Sequence, residues 1–138
     1  MKILKALFSL IGRVFLSIPF IISFSGMLSN FQGTVEYAKS FGVNIFVEFL
    51  VVCCIILEII GVLSLLSGYK IEIGSICLLI FLVPVTFIFH RFWELTGQEA
   101  MMQMGQFISN TSLTGGLLFV IGMGAGPLSI NYFLKKRN

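Results

Sequence analysis

The sequence predicts an all-α integral membrane protein: one domain folded as a four-helix bundle, with both termini cytoplasmic. Three observations predict it. First, the 138 residues are 57% hydrophobic and 11% charged, where a soluble domain carries about 25% charged residues. Mean hydropathy is +1.03. Too few polar residues exist to cover a water-facing surface, so lipid must be the solvent for most of the chain. Second, the apolar residues fall into four runs, each close to the ~20 residues that cross a bilayer as a helix. Third, the basic residues alternate between the two sides these runs define.

The first run spans about residues 4–29, with Lys5 at its start and Arg13 inside it. Ser23-Phe24-Ser25 resembles a signal-peptide cleavage site, but the apolar stretch is long for that role. Residues 31–42 form a connector. Its centre, Thr34 to Lys39, suits one or two helical turns at the membrane surface, with Thr34 as a cap. The second run, about 43–66, carries Glu48 and Glu58 and closes in the turn Ser67-Gly68-Tyr69-Lys70. The third, about 73–90, contains Pro84. Proline removes a backbone donor and kinks a helix, which a membrane bundle tolerates where neighbours satisfy the freed carbonyl. The fourth, about 104–123, ends at Gly124-Ala125-Gly126-Pro127, and a basic tail follows.

Orientation follows from the positive-inside rule. Lys2, Lys5, Lys70 and Lys135-Lys136-Arg137 fall on one side. Lys39 and Arg91, with Glu36, Glu94 and Glu99, fall on the other. The first side is therefore cytoplasmic and the His90 region faces outward. A net charge of +3 distributed in this way argues against a nucleic-acid surface. Cys53, Cys54 and Cys77 form neither a C-x-x-C nor a metal spacing. The methionines at 101, 102 and 104 have no other soft ligand beside them. A single histidine argues against haem. No metal site and no catalytic set are legible.

Ionisable groups inside a bilayer need a partner or a task. Arg13 lies sixteen residues below Ser29, about 24 Å deep at 1.5 Å per residue. Glu58 lies fourteen below Asn44, about 21 Å deep. The matched depths suggest a structural ion pair joining the first two spans; a headgroup or proton site is the alternative. Arg13 shares a helix face with Ser17, Phe20 and Phe24, which should point into the bundle.

A second constellation lies at the outer end. His90 closes the third span, next to the only tryptophan, Trp93. Gln103, Gln106, Asn110 and Thr114 recur at helical steps and make one polar stripe. Such a stripe must face protein or water, because amides in hydrocarbon need partners. Glu48 enters the membrane at a similar depth, about 80° around its helix from Glu58. Glu48, His90, Trp93, Gln106 and Asn110 are thus candidate ligand-binding residues, with Trp93 also fitting a plain interface anchor. Ser112-x-x-x-Gly116 and Gly122-x-x-x-Gly126 permit close helix packing.

These residues resemble the DoxX family of small four-helix bacterial inner-membrane proteins. The resemblance runs through nearly the whole chain. It rests on Gly12-Arg13, on Gly33-Thr34-Val35-Glu36-Tyr37 followed by Gly42, and on Glu58 with Gly61. It continues through His90-Arg91-Phe92-Trp93, Asn110 with Gly115, and Gly124-x-Gly126 with Ser129-Ile130-Asn131. Similar sequences often have a lysine where this chain has Met27 and an aspartate where it has Asn131. The resemblance implies a multi-pass inner-membrane protein, linked in some relatives to thiosulfate–quinone or thiol redox chemistry. The expected function is a membrane subunit of a redox-linked complex holding a quinone or lipid-like ligand between its helices. A redox partner protein and a homo-oligomer are its expected associations. The alternative is a non-catalytic scaffold or small-solute passage protein. No redox centre belongs to the chain, so a quinone or lipid would be brought from outside it.

Overall fold

The structure is a computed structural model describing residues 2–137. Met1 and Asn138, and the side chains of Lys2 and Arg137 that entered the orientation argument, lie outside the described residues. The described residues are helical, with no strand among them. Helix α1 covers Lys2–Ser29, α2 Phe31–Ser40, α3 Val47–Ser67, α4 Ile71–Phe89, α5 Gly97–Met123 and α6 Ile130–Arg137; a single 3-10 turn occupies Phe92–Glu94. Three segments, Ile3–Ser29, Val47–Ser67 and Ile71–Glu94, are long and apolar enough to cross a membrane.

Two helices begin away from the sequence-based boundaries. Helix α3 starts at Val47 rather than near residue 43. Gly42 and Phe46 both take positive φ, at 88° and 50°, and the chain between them stays out of helix. Helix α5 starts at Gly97 rather than 104, with Thr96 extended as its N-cap residue; polar Gln98, Glu99 and Gln103 belong to its first turns. The connector helix α2 is capped by Asn30, whose side-chain oxygen accepts from the Gly33 amide at 3.1 Å. Thr34 lies inside the helix and donates to the Asn30 carbonyl at 2.9 Å. Asparagine at the cap satisfies an amide that the helix itself leaves free.

Helix α3 packs against α1 and α4, and α5 packs along α4. Gly61 lies against Leu78 and Gly74 against Ser64, while Phe87 meets Phe107. Contacts therefore run to higher numbers on one helix as they fall on the next, so neighbours are antiparallel. A side chain at Gly61 or Gly74 would collide with these neighbours, so the glycines set how closely α3 and α4 approach. Between the helices lies a core built on Phe20, Val62, Leu65, Ile71, Leu78 and Leu117. A second cluster seats α2 on α3 through Val35, Ala38, Val47, Val51 and Ile55. Large apolar side chains cover the outside at seven-residue steps: Phe8, Phe15 and Ile22 on α1; Phe49, Ile56 and Leu63 on α3; Ile73, Ile80 and Phe87 on α4. Two helical turns separate the members of each stripe, so each is one apolar face. Faces of this extent suit lipid and not water.

The end of the molecule that holds the two termini is latched. Ser9 Oγ donates to the Ala125 carbonyl at 2.9 Å, and the Lys70 amide donates to Asn131 Oδ1 at 3.2 Å. The Gly124-to-Asn131 segment thus folds under the helices and ties α1, the α3–α4 turn and α6 together.

Candidate functional site

The buried face of α1 is the one its spacing indicates: Arg13, Ser17 and Phe20 are all within 2% of full burial. Arg13, however, does not pair with Glu58. Its Nη1 donates to the Leu65 carbonyl at 3.1 Å and its Nη2 to the Leu128 carbonyl. Among the described residues the ion pairs are Lys39–Glu48 and Arg91–Glu94. The expected Arg13–Glu58 pair fails because α3 begins at Val47. Counted from there, Glu58 is eleven residues down, about 17 Å, well short of the depth of Arg13. The guanidinium instead meets the Leu65 carbonyl at the C-terminal end of α3, which carries partial negative charge, and the Leu128 carbonyl before α6.

Glu58 is left in the middle of the helices. It is fully buried; neither carboxyl oxygen has a partner at full hydrogen-bond geometry among the described residues, and the Ser23 hydroxyl stands near enough to act on it. It lines a cavity of about 150 Å³ between α1, α3, α4 and α5, together with Ser23, His90 and Asn110; the apolar wall is Pro19, Phe20, Phe81, Leu82, Val85 and Leu113. A larger cavity of about 520 Å³ adjoins it. Ser23, Phe81, Val85 and His90 line both. The larger one is apolar, with Met27 of α1, Tyr37 of α2, Val51, Cys53, Cys54 and Leu57 of α3, and Pro84 and Ile88 of α4 in its wall. Pro84 has no amide to give the Ile80 carbonyl, and both residues stand in that wall.

Rings gather at the His90 end. Tyr37 stacks on Phe89 at 5.5 Å between centroids, and Phe41 meets Phe89 edge-on at 5.2 Å. Arg91 lies 5.8 Å from the centre of the Phe41 ring, within cation–π range. His90 itself is half-buried, and its Nδ1 is 2.8 Å from Gln103 Oε1. With the amide oxygen accepting, Nδ1 carries the proton and Nε2 has a free lone pair in the neutral ring.

The site residues read from the sequence divide clearly. His90 and Asn110 line the smaller cavity, and Glu58, assigned to an ion pair, joins them there. Glu48 lies outside both cavities, exposed and bonded to Lys39 at 3.1 Å. Its place on α3 turns it away from Glu58 and toward the α2 connector. Gln106 is exposed; Gln103, one turn earlier on the same stripe, reaches His90 instead. Trp93 is 53% exposed and packs edge-on against Phe92 and Phe107, as an interface anchor does. Sequence reasoning missed Ser23, Cys54 and Tyr37. Ser23 follows Phe20 by three residues on the buried face of α1, and Cys54 precedes Glu58 by one turn. That spacing was the available signal. Met27, where similar sequences carry lysine, contributes apolar wall to the larger cavity.

Comparison with known proteins bears on identity. The DoxX family model matches residues 8–91. Inner membrane protein YqjF of Escherichia coli (strain K12) is 31% identical over 138 residues, 99% of each chain. Inner membrane protein YphA of the same organism is 24% identical over 122 residues, covering 88% of this chain and 86% of that one. The ER-derived vesicles protein ERV29 of Saccharomyces cerevisiae is 32% identical over 77 residues, 56% of this chain and 25% of that protein. No solved structure matches. The apolar helices and the two Escherichia coli relatives identify a multi-pass protein of the inner membrane. With 84 consecutive residues matched and a relative alike from end to end, the chain belongs to the DoxX family.

Proposed function

We propose that this protein is a membrane subunit of a redox-linked complex that holds a quinone or lipid-like ligand between its helices. One observation carries the reading: an apolar cavity of about 520 Å³ shares walls with a smaller one that holds a buried, unpartnered Glu58. Ligand sites commonly measure about 300–1,000 Å³ and combine apolar walls with a few convergent polar groups. A lipid tail fits beside Met27, Val51, Leu57 and Ile88. A polar head fits beside Glu58, His90 and Asn110, which together offer both donors and acceptors. A quinone, when bound, would supply the two-electron redox chemistry. The chain's residues would orient the head, keep bulk water from it and exchange protons with it. The electrons would pass to or from a partner protein, and a homo-oligomer is compatible with the apolar outer faces.

In this reading α5 is a fourth crossing. Its 27 residues extend about 40 Å, and it packs along α4. Both termini then share one side, and Lys5, Lys70, Lys135 and Lys136 make that side cytoplasmic.

A non-catalytic scaffold or small-solute passage protein is the second reading. The test is extraction of the full chain purified in mild detergent, with mass spectrometry of the bound lipids. Quinone in near-equal amount to protein, lost in Asn110→Leu, supports the first reading. Its absence, together with a solute-flux defect on deletion, overturns it in favour of the second.

A further inference from the structure

We infer that the smaller cavity is a one-sided proton pathway, joining Glu58 in the membrane interior to the His90 end of the molecule and to that end alone. The inference concerns protons and stands whether or not the larger cavity holds a quinone.

Three features carry it. The first is Glu58 itself. A carboxylate without a partner is very costly in a low-dielectric interior, whereas the neutral acid is tolerated. Glu58 has full burial, no partner at full hydrogen-bond geometry among the described residues, and a position in the cavity wall. The obvious counter-ion, Arg13, is engaged with carbonyls elsewhere. The carboxyl is thus held as a proton carrier and not as half of an ion pair.

The second feature is the connection toward His90. The cavity of about 150 Å³ has polar partners and room for several waters. A proton leaving the Glu58 carboxyl moves onto cavity water and then to His90 Nε2. Gln103 holds the proton on Nδ1 at 2.8 Å, so Nε2 is the nitrogen that exchanges. The imidazolium then returns the added proton to water at the His90 end.

The third feature is the seal. On the other side of Glu58 lie Val62, Leu65, Leu78 and Leu117, none more than 4% exposed. They belong to one apolar cluster. The buried polar side chains on that side are the hydroxyls of Ser17, bonded to the Val14 carbonyl at 2.7 Å, and of Ser75, and neither titrates. The groups facing Glu58 are few. From α3 the titratable neighbour is Cys54, one turn away, and from the end of α4 it is His90. Helix α1 presents Pro19, Phe20 and Ser23, and α5 presents Asn110 and Leu113, none of which titrates.

Infrared spectroscopy of the full chain in lipid nanodiscs tests this directly. The wild type should show the C=O stretch of a protonated carboxylic acid at neutral pH, downshifted on transfer to D2O. Glu58→Gln should lose that band, while Glu72→Gln and Glu99→Gln, at exposed positions, should keep it. Asn110→Leu, which fills the pathway and leaves Glu58 in place, should slow the deuterium shift about ten-fold or more, as for a group reached only by local opening. Leu117→Met, in the seal, should leave the rate unchanged. Absence of the band in the wild type would overturn the inference. So would a band that survives Glu58→Gln, or a deuterium shift as fast in Asn110→Leu as in wild type. Failure to find a bound quinone would touch none of these readouts.

Discussion

Arg13 Nη1 donates to the Leu65 carbonyl at 3.1 Å, joining the buried face of α1 to the last turn of α3. The final carbonyls of a helix have no partner within it. A cation there also meets the negative end of the helix dipole. Arg13 reaches the Leu128 carbonyl as well, so one guanidinium ties α1, α3 and the segment before α6. The Gly12-Arg13 and Gly124-to-Asn131 elements read from the sequence are two halves of this latch.

Arg13→Met should therefore destabilise the protein by leaving the buried Leu65 carbonyl without a donor, at roughly 1–3 kcal/mol, with a smaller loss at the part-buried Leu128 carbonyl. Because Arg13 and Glu58 do not touch, Arg13→Met and Glu58→Met should add within about 0.5 kcal/mol. Thermal unfolding of both single variants and the double variant in detergent measures this. A double variant whose change departs from the sum of the two single changes by more than about 1 kcal/mol would mean that the two charges interact after all.

Gly68→Ala should loosen the same latch from the other side. Gly68 ends α3 at φ +66°, and a side chain there would meet Arg13 Nη1 and the Ser129 side chain. The left-handed backbone alone costs a non-glycine residue about 1–2 kcal/mol, and the collision adds to it. Gly105→Ala, with open space around it, is the control and should be near neutral. Equal melting temperatures for the two variants would count against this account.

Glu48→Gln should have a small effect on stability and none on ligand retention. Its bond to Lys39 is solvent-exposed on both sides, and such pairs contribute little, because water and salt screen them. Comparing co-purified lipid from Glu48→Gln and Glu58→Gln separates the two glutamates of α3. A loss of bound ligand in Glu48→Gln would move the site to the α2 connector.

His90→Phe should keep the fold and lose ligand retention, because phenylalanine suits a wall that already holds Phe81 and Val85 but cannot bond Gln103 or a ligand. Gln103→Leu should have a weaker effect in the same direction, by releasing the His90 ring. Retention measured by lipid mass spectrometry, with gel filtration for integrity, decides the order. Gln103→Leu losing more than His90→Phe would make Gln103 the binding group.

The sequence by itself determined the all-helical membrane character, because the excess of apolar residues over charged ones admits no water-soluble solution. It also determined which face of α1 is buried, since Arg13, Ser17 and Phe20 follow helical spacing. His90 and Asn110 were legible as cavity residues for a similar reason: polar side chains in an apolar run must face inward. Tertiary structure decided the pairing. Depth along a helix is counted from its end, and the end of α3 depends on how residues 41–46 turn, which periodicity does not reveal. Counted from the true start of α3, Glu58 lies about 7 Å short of the depth of Arg13, more than one turn. This offset leaves the arginine on carbonyls and the carboxyl alone in a cavity. Which of Glu48, Gln103 and Gln106 reaches His90 was equally a matter of rotation, since residues on one stripe of a helix differ by tens of degrees, enough to point one inward and the next to the surface.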